Sequence, residues 1–420
     1  MGGRLIARRI GFPDEDFGPT TPSAEEFQPN VRVARDSGAI RKQVHSLLWN
    51  GDYTAPGVTI REEERRAAIG YNGAHQRSAE SISMRLVPRS GLLKAVMMVL
   101  TSSTGFSQAP AWNDPSPHRV QFVPAEGGVR IEVLDWGGSG RALVLLAGSG
   151  NSAHVFDNIA PKLTDMCHVY GITRRGYGAS SHPESGFGAE RLGEDVVAVL
   201  DALHLTAPVL AGHSLGGHEL TAVASAHPSR IAGLIYMDST ADPTFDWKPY
   251  QELRKKLPST MTSPPVSSEE RRSFELYRDW QERSMSIAFP ESELRNDFAT
   301  GSDGSMGAYK TPPSVGSAIF AGMRKPDYSR IRVPVLAFFV LPKPVENQME
   351  LYQPGNAEER AAIEQVYAAE VAYAKKSISM LRSGVPDARV VELVGANHYV
   401  FLSNEREVLR EIRLFLAVVK

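Results

Sequence analysis

The chain has 420 residues, 42% of them hydrophobic and 22% charged, a globular composition with enough length for one large core or for two or three domains. A formal net charge of −2 without any Lys/Arg run excludes a polybasic nucleic-acid surface and leaves small-molecule or protein partners. The single cysteine, Cys167, excludes an internal disulfide framework and a multi-thiolate metal site, and no apolar run reaches the roughly 18 residues that a membrane span requires, so no membrane partner is expected.

Residues 1–83 mix Arg/Glu clusters such as IREEERRAAIG with Gly, Pro and Ser and lack regular apolar periodicity, which predicts a poorly ordered extension. In residues 84–109, Arg85, Arg89 and Lys94 form a positive start, Ala95 to Leu100 a short apolar region, and Ser107-Gln108-Ala109 a small-residue cleavage site. This segment resembles a bacterial secretory signal, which predicts translation from Met84, a mature chain from about Pro110 and a secreted or periplasmic protein. The alternative is a short helix in a flexible extension of a cytoplasmic protein.

From Val120 the pattern changes. RVQFV and VRIEVLDW flank a Glu-Gly-Gly turn and predict a hairpin. Short continuous apolar runs follow, as expected of strands buried on both faces: ALVLLA (142–147), HVYGIT (168–173), PVLAG (208–212), AGLIYM (232–237), PVLAFFV (334–340) and ARVVELV (388–394). Helical spacing appears between them in RLGEDVVAVLDALHL, LGGHELTAVASAH, the run from Ala357 to Leu381 and EREVLREIRLFLAVV. This alternation predicts an α/β protein, a mainly parallel eight-stranded sheet with helices on both faces, built from residues 110–240 and 331–420. Residues 241–330 interrupt it with Pro/Ser-rich linkers and helical segments but no clear strand, which predicts an inserted helical cap. Its Trp247, Tyr250, Phe274, Tyr277, Trp280, Met285 and Phe289 would form either the cap's own core or an apolar pocket beneath it.

Gly212-His213-Ser214-Leu215-Gly216 ends a strand and opens a helix, the context of a nucleophile elbow, where crowding admits only small residues two positions either side of the serine. A serine needs a base. His398, in VELVGANHYVFLSN after the last strand, stands at the C-terminal sheet edge where open α/β folds place their sites. His213 is too near in sequence to reach its neighbour's hydroxyl well, and His168, His204, His218 and His227 fall on helices or strand ends. An acid must orient the imidazole; Asp238, at the end of GLIYMDST, is favoured, with Glu346 and then Asp242 as alternatives. Backbone N–H groups of Ser149 and Leu215 are the expected oxyanion donors, and Asn151, Ser152 and His154 would either line the pocket or serve as solvated loop residues. The same turn matches G-x-G-x-x-[GA], but the next strand ends in Arg174-Arg175 rather than an acid, so no dinucleotide is expected. No H-E-x-x-H, Walker or EF-hand pattern occurs, so neither metal nor cofactor is expected, and Cys167 reads as a buried structural thiol.

These motifs, with TRRGYGASS (173–181) after the fourth strand, resemble the α/β-hydrolase fold over residues 118–420. The resemblance implies the chain order Ser, acid, His, which Ser214, Asp238 and His398 follow. Two departures stand out: Ala147-Gly148 replaces the usual His-Gly pair before the oxyanion turn, and the acid follows the sixth strand instead of the seventh. The serine argues against epoxide hydrolases and haloalkane dehalogenases, similar chains that use aspartate at the elbow. The expectation is a serine hydrolase cleaving carboxylic esters, with an apolar or aromatic small-molecule substrate. Lactone, amide or C–C bond hydrolysis, a cofactor-free perhydrolase or haloperoxidase activity, and a non-catalytic ligand receptor are the alternatives.

Overall fold

Ala142–Leu146 (ALVLL) carries no polar residue because its strand is covered on both faces: Leu143 and Leu145 enter one hydrophobic cluster, Val144 and Leu146 another. The computed structural model describes residues 112–239, 242, 245–246 and 248–419; the extension 1–83, the signal-like segment 84–109 and Trp247 lie outside the described residues.

In chain order the strands are β1 (Arg119–Pro124), β2 (Arg130–Gly137), β3 (Ala142–Leu146), β4 (His168–Thr173), β5 (Val209–His213), β6 (Gly233–Met237), β7 (Phe298–Thr300), β8 (Met306–Tyr309), β9 (Val335–Leu341) and β10 (Arg389–Val394). The helices are α1 (Ala189–Ala202), α2 (Gly216–Ala226), α3 (Lys248–Arg254), α4 (Phe274–Met285), α5 (Glu291–Asp297), α6 (Pro313–Gly322), α7 (Val345–Tyr352), α8 (Ala357–Gly384), α9 (Val400–Ser403) and α10 (Glu405–Val418). One eight-stranded sheet has the order β1-β2-β4-β3-β5-β6-β9-β10. Only β1 with β2 and β2 with β4 run antiparallel; the remaining neighbours are parallel.

Val408, Ile412 and Phe415 of α10 cover one face of the sheet. Val196, Val199 and Leu200 of α1, Leu220 and Val223 of α2, and Ile378 and Leu381 of α8 cover the other. Each fully buried Leu, Val, Ile or Phe in these layers contributes roughly 1.5–3 kcal/mol before chain entropy is set against it. Helix starts follow local chemistry: the side chain of Asn356 accepts from the Glu359 backbone N–H to open α8, and that of Ser273 accepts from the Leu276 N–H to open α4.

The segment between β6 and β9 is mainly helical but contains the antiparallel pair β7–β8, a correction to the strand-free expectation. A three-residue strand is too short to show alternation, and Gly301 and Gly304 in its turn read as linker. The aromatic residues of this insert divide. Phe274 packs with Leu294 and Met306, while Trp280 and Met285 join the main core beside Ala396 and Tyr399. Tyr250 belongs to a third cluster with Tyr352 and Ile363.

Strand register levels the C-terminal ends that matter. Leu146 pairs with Gly212, His213 with Met237, Met237 with Phe338, and Leu341 with Val394. Residues that follow these ends emerge together at one rim.

Candidate active site

Ser214 follows β5 with φ 49°, a left-handed conformation that L-residues rarely adopt. The turn is crowded on both sides. A Cβ on Gly216 would lie 2.5 Å from the Leu146 carbonyl oxygen, and one on Gly148 would lie 2.8 Å from His213 Nδ1 and 3.1 Å from Ser214 Cβ. Glycine at these positions lets the turn after β3 approach the serine closely. The Ser214 N–H donates to the Met237 carbonyl oxygen at 3.3 Å, linking the elbow to the end of β6.

Asp238 leaves β6 with φ 48° and donates its N–H to the Phe338 carbonyl at 3.0 Å. Its Oδ1 accepts from the Val340 N–H at 3.0 Å, and its Oδ2 lies 2.7 Å from His398 Nδ1. Glu346 is exposed in the first turn of α7, and Asp242 lies 3.4 Å from the Lys376 ammonium. Asp238 is thus the carboxylate brought to His398.

His398 is 6% exposed in the loop between β10 and α9. The loop is fastened at several points: Gly395 N–H donates to the Leu341 carbonyl at 2.8 Å, Asn397 Nδ2 to the Met285 carbonyl at 3.2 Å, and the Tyr399 hydroxyl to Asn151 Oδ1 at 3.0 Å. Among the described residues no hydrogen bond joins the Ser214 hydroxyl to His398. Catalytic hydrogen bonds without substrate are commonly long and tighten in the complex. The Ser149 and Leu215 backbone N–H groups donate to no protein acceptor among the described residues, which leaves both available to an oxyanion.

His213 has a role that sequence proximity concealed. Its Nε2 donates to the His398 carbonyl at 3.2 Å, and its ring packs 4.6 Å from that of His398 and 4.7 Å from that of Tyr399. Complete burial, with the neighbouring His398 ring adding to it, holds the His213 pKa far below the usual imidazole range. A neutral His213 therefore positions the loop that carries His398. Three of the remaining candidates lie in ordinary pairs or solvent: His168 Nε2 is 2.7 Å from Asp135, His227 Nε2 is 2.8 Å from Glu194, and His204 is exposed; the fourth, His218, is buried on α2.

Arg174, at the end of β4, was not singled out by sequence as a site residue, yet it ties the oxyanion turn to the nucleophile helix. Its guanidinium donates to the Ala147 carbonyl at 2.7 Å and the Gly148 carbonyl at 3.1 Å, and its Nε pairs with Glu219 on α2. Both side chains are buried, so removing either partner leaves a desolvated charge at a cost of about 3–5 kcal/mol. Arg175 forms its own bidentate pair with Asp195 on α1, at 2.5 and 2.6 Å. The arginines that argue against a dinucleotide thus brace the site.

Asn151, Ser152 and His154 are all buried, which corrects the solvated-loop alternative. The insert holds the first two: Glu293 of α5 accepts from Asn151 Nδ2 at 2.8 Å and from Ser152 N–H and Oγ at 3.1 and 2.5 Å. Cys167 is buried with its thiol directed at the Leu163 carbonyl, 3.3 Å away, and burial pushes its pKa up to about 11.

His218 on α2 gives the fold a measurable pH signature. Burial, reinforced by the Arg174 charge, pushes its pKa down to about 4 from 6.5. Between those values the unfolded chain binds a proton that the folded chain does not, so this residue's contribution to stability is full above pH 6.5 and is lost as pH falls toward 4. Relative to His218→Asn, the parent should lose about 1.4 kcal/mol per pH unit across that window in urea unfolding. Parallel stability profiles for the two proteins would contradict this assignment.

Comparison with known proteins places the site in context. A sequence model described as the alpha/beta hydrolase family matches residues 143–411. N-formylmaleamate deformylase of Pseudomonas putida is 26% identical over 180 residues, covering 42% of this chain and 58% of that protein. An esterase of Mycobacterium tuberculosis is 31% identical over 129 residues, covering 30% of this chain and 41% of its own. The chain spans about half the length of such curated relatives. The crystal structure of E-2-(acetamidomethylene)succinate hydrolase superposes with a TM-score of 0.50 at 20% identity, covering 72% of this chain and 100% of that one.

Proposed function

The chain belongs to the alpha/beta hydrolase family, and from that membership we propose that it is a serine hydrolase cleaving small carboxylic esters through an acyl-enzyme on Ser214. The observation that carries this reading is the 2.7 Å contact between Asp238 Oδ2 and His398 Nδ1 at the rim where the strained Ser214 emerges. His398 Nε2 takes the hydroxyl proton as Ser214 Oγ attacks the ester carbonyl, then delivers it to the departing alcohol oxygen. In the second half His398 takes a proton from water, hydroxide adds to the acyl carbonyl, and Ser214 recovers its proton as the carboxylic acid leaves. Asp238 fixes the ring's tautomer and stabilises the imidazolium, while the Ser149 and Leu215 N–H groups hold the oxyanion.

Trp280, Met285, Ile287 and Tyr399 gather in one apolar cluster with residues flanking His398, which supports an apolar or aromatic group on the substrate. Similarity to a deformylase favours one second reading, amide C–N cleavage by the same residues. Labelling the full-length protein with a fluorophosphonate, mapping the adduct, and then assaying p-nitrophenyl esters of increasing acyl length beside the matching anilides tests both. One adduct on Ser214 with faster ester turnover is expected. An adduct elsewhere, or stoichiometric binding without turnover, would overturn the assignment, and faster anilide cleavage would move it to the amide.

A further inference from the structure

His154 is 7% exposed, and its Nδ1 makes no hydrogen bond, although Asp157 Oδ2 lies 3.3 Å away and Asp114 Oδ2 3.8 Å away. That buried nitrogen points into a cluster containing none of the residues assigned to hydrolysis. One donor atom from each of Asp114, His118, His154 and Asp157 lies within 4.8 Å of the other three. His118 is held between the carboxylates, Nδ1 2.8 Å from Asp157 Oδ1 and Nε2 3.6 Å from Asp114 Oδ2, and its ring meets that of His154 edge-on at 4.8 Å. Two imidazoles and two carboxylates thus converge, with one buried acceptor or donor unused.

We infer that Asp114, His118, His154 and Asp157 bind one divalent transition-metal ion of the zinc class as a structural clamp. Two imidazole nitrogens and two carboxylate oxygens suit a borderline ion in tetrahedral coordination, whereas calcium and magnesium favour all-oxygen shells. Bonds of about 2.0–2.2 Å would bring the donors to roughly 3.4 Å from one another, a modest contraction of the present cluster. Surrounding groups already orient the ligands. Trp136 Nε1 donates to Asp157 Oδ1 at 2.9 Å, Ser292 Oγ donates to Oδ2 at 2.5 Å, and Glu132 Oε1 lies 3.6 Å from His154 Nε2, which leaves Nδ1 to face the cluster.

The clamp joins the segment preceding β1 to the turn after β3 and, through Ser292, to α5 of the insert. It stands independently of the hydrolase reading. No metal motif is visible in sequence because the ligands form two short pairs, four and three residues apart, on segments joined only by the fold.

The test uses the full-length protein, stripped with a chelator and dialysed against zinc. Elemental analysis should find one zinc per chain, zinc should raise Tm by about 5 °C at saturation, and cobalt in its place should show the visible bands of tetrahedral coordination. His118→Gln and Asp114→Asn, the latter at a side chain 28% exposed, should weaken zinc binding at least about tenfold. Because Asp114 is the most accessible ligand, its variant keeps the test decisive if the histidine variant folds poorly. Failure of the stripped parent to retain one zinc, or equal retention by folded Asp114→Asn, overturns the clamp.

Discussion

Ser214→Ala should lower kcat on p-nitrophenyl acetate by about 10⁶-fold, the scale at which loss of a serine nucleophile leaves only binding and oxyanion stabilisation. The effect should be confined to chemistry. The side chain is partly exposed and its hydroxyl makes no hydrogen bond among the described residues, so truncation removes no packing partner, and the turn is held by the backbone bond to Met237. Far-UV circular dichroism and the urea midpoint should therefore match the parent, and fluorophosphonate labelling should disappear. Turnover within tenfold of the parent would place the chemistry elsewhere.

Asp238→Asn should lower kcat by about 10⁴-fold, whereas Glu346→Gln should leave it unchanged within a factor of two. The asymmetry comes from the two acceptor contacts of the carboxylate. Val340 N–H donates to Oδ1 at 3.0 Å, so an asparagine at 238 would keep its carbonyl oxygen on Val340 and turn its amide toward His398. His398 Nδ1 would then have to accept instead of donate, placing the ring proton on Nε2, the nitrogen that must receive the serine proton. Raising pH should restore little activity, because the defect is one of tautomer and not of titration. Comparable losses in the two variants, or in Glu346→Gln alone, would move the acid to α7.

The sheet, and the rim from which Ser214, Asp238 and His398 emerge, were legible because strands covered on both faces produce short apolar runs, bounded by turn residues and alternating with helical spacing. The elbow announced itself through glycines that crowding enforces. Asp238 emerges beside His398, at a position that the end of a strand fixes for the residue that follows it. The short β7–β8 pair escaped because three residues show no alternation, and two contacts escaped because they join distant segments: Glu293 capping the loop at Asn151 and Ser152, and the ring of His213 beneath His398. A charged residue at a strand end reads as solvent-facing until its partner is known, and the partner of Arg174 lies 45 positions away on α2.

The buried Arg174–Glu219 pair also bears on how such a protein can change over generations. Either residue replaced alone strands its mate, and replacing both with apolar side chains still leaves the Ala147 and Gly148 carbonyl oxygens without the guanidinium from which they accept. The two positions are therefore expected to drift as a unit, kept or lost together. Mutant libraries that vary one site at a time will score both as intolerant without revealing that the two positions depend on each other.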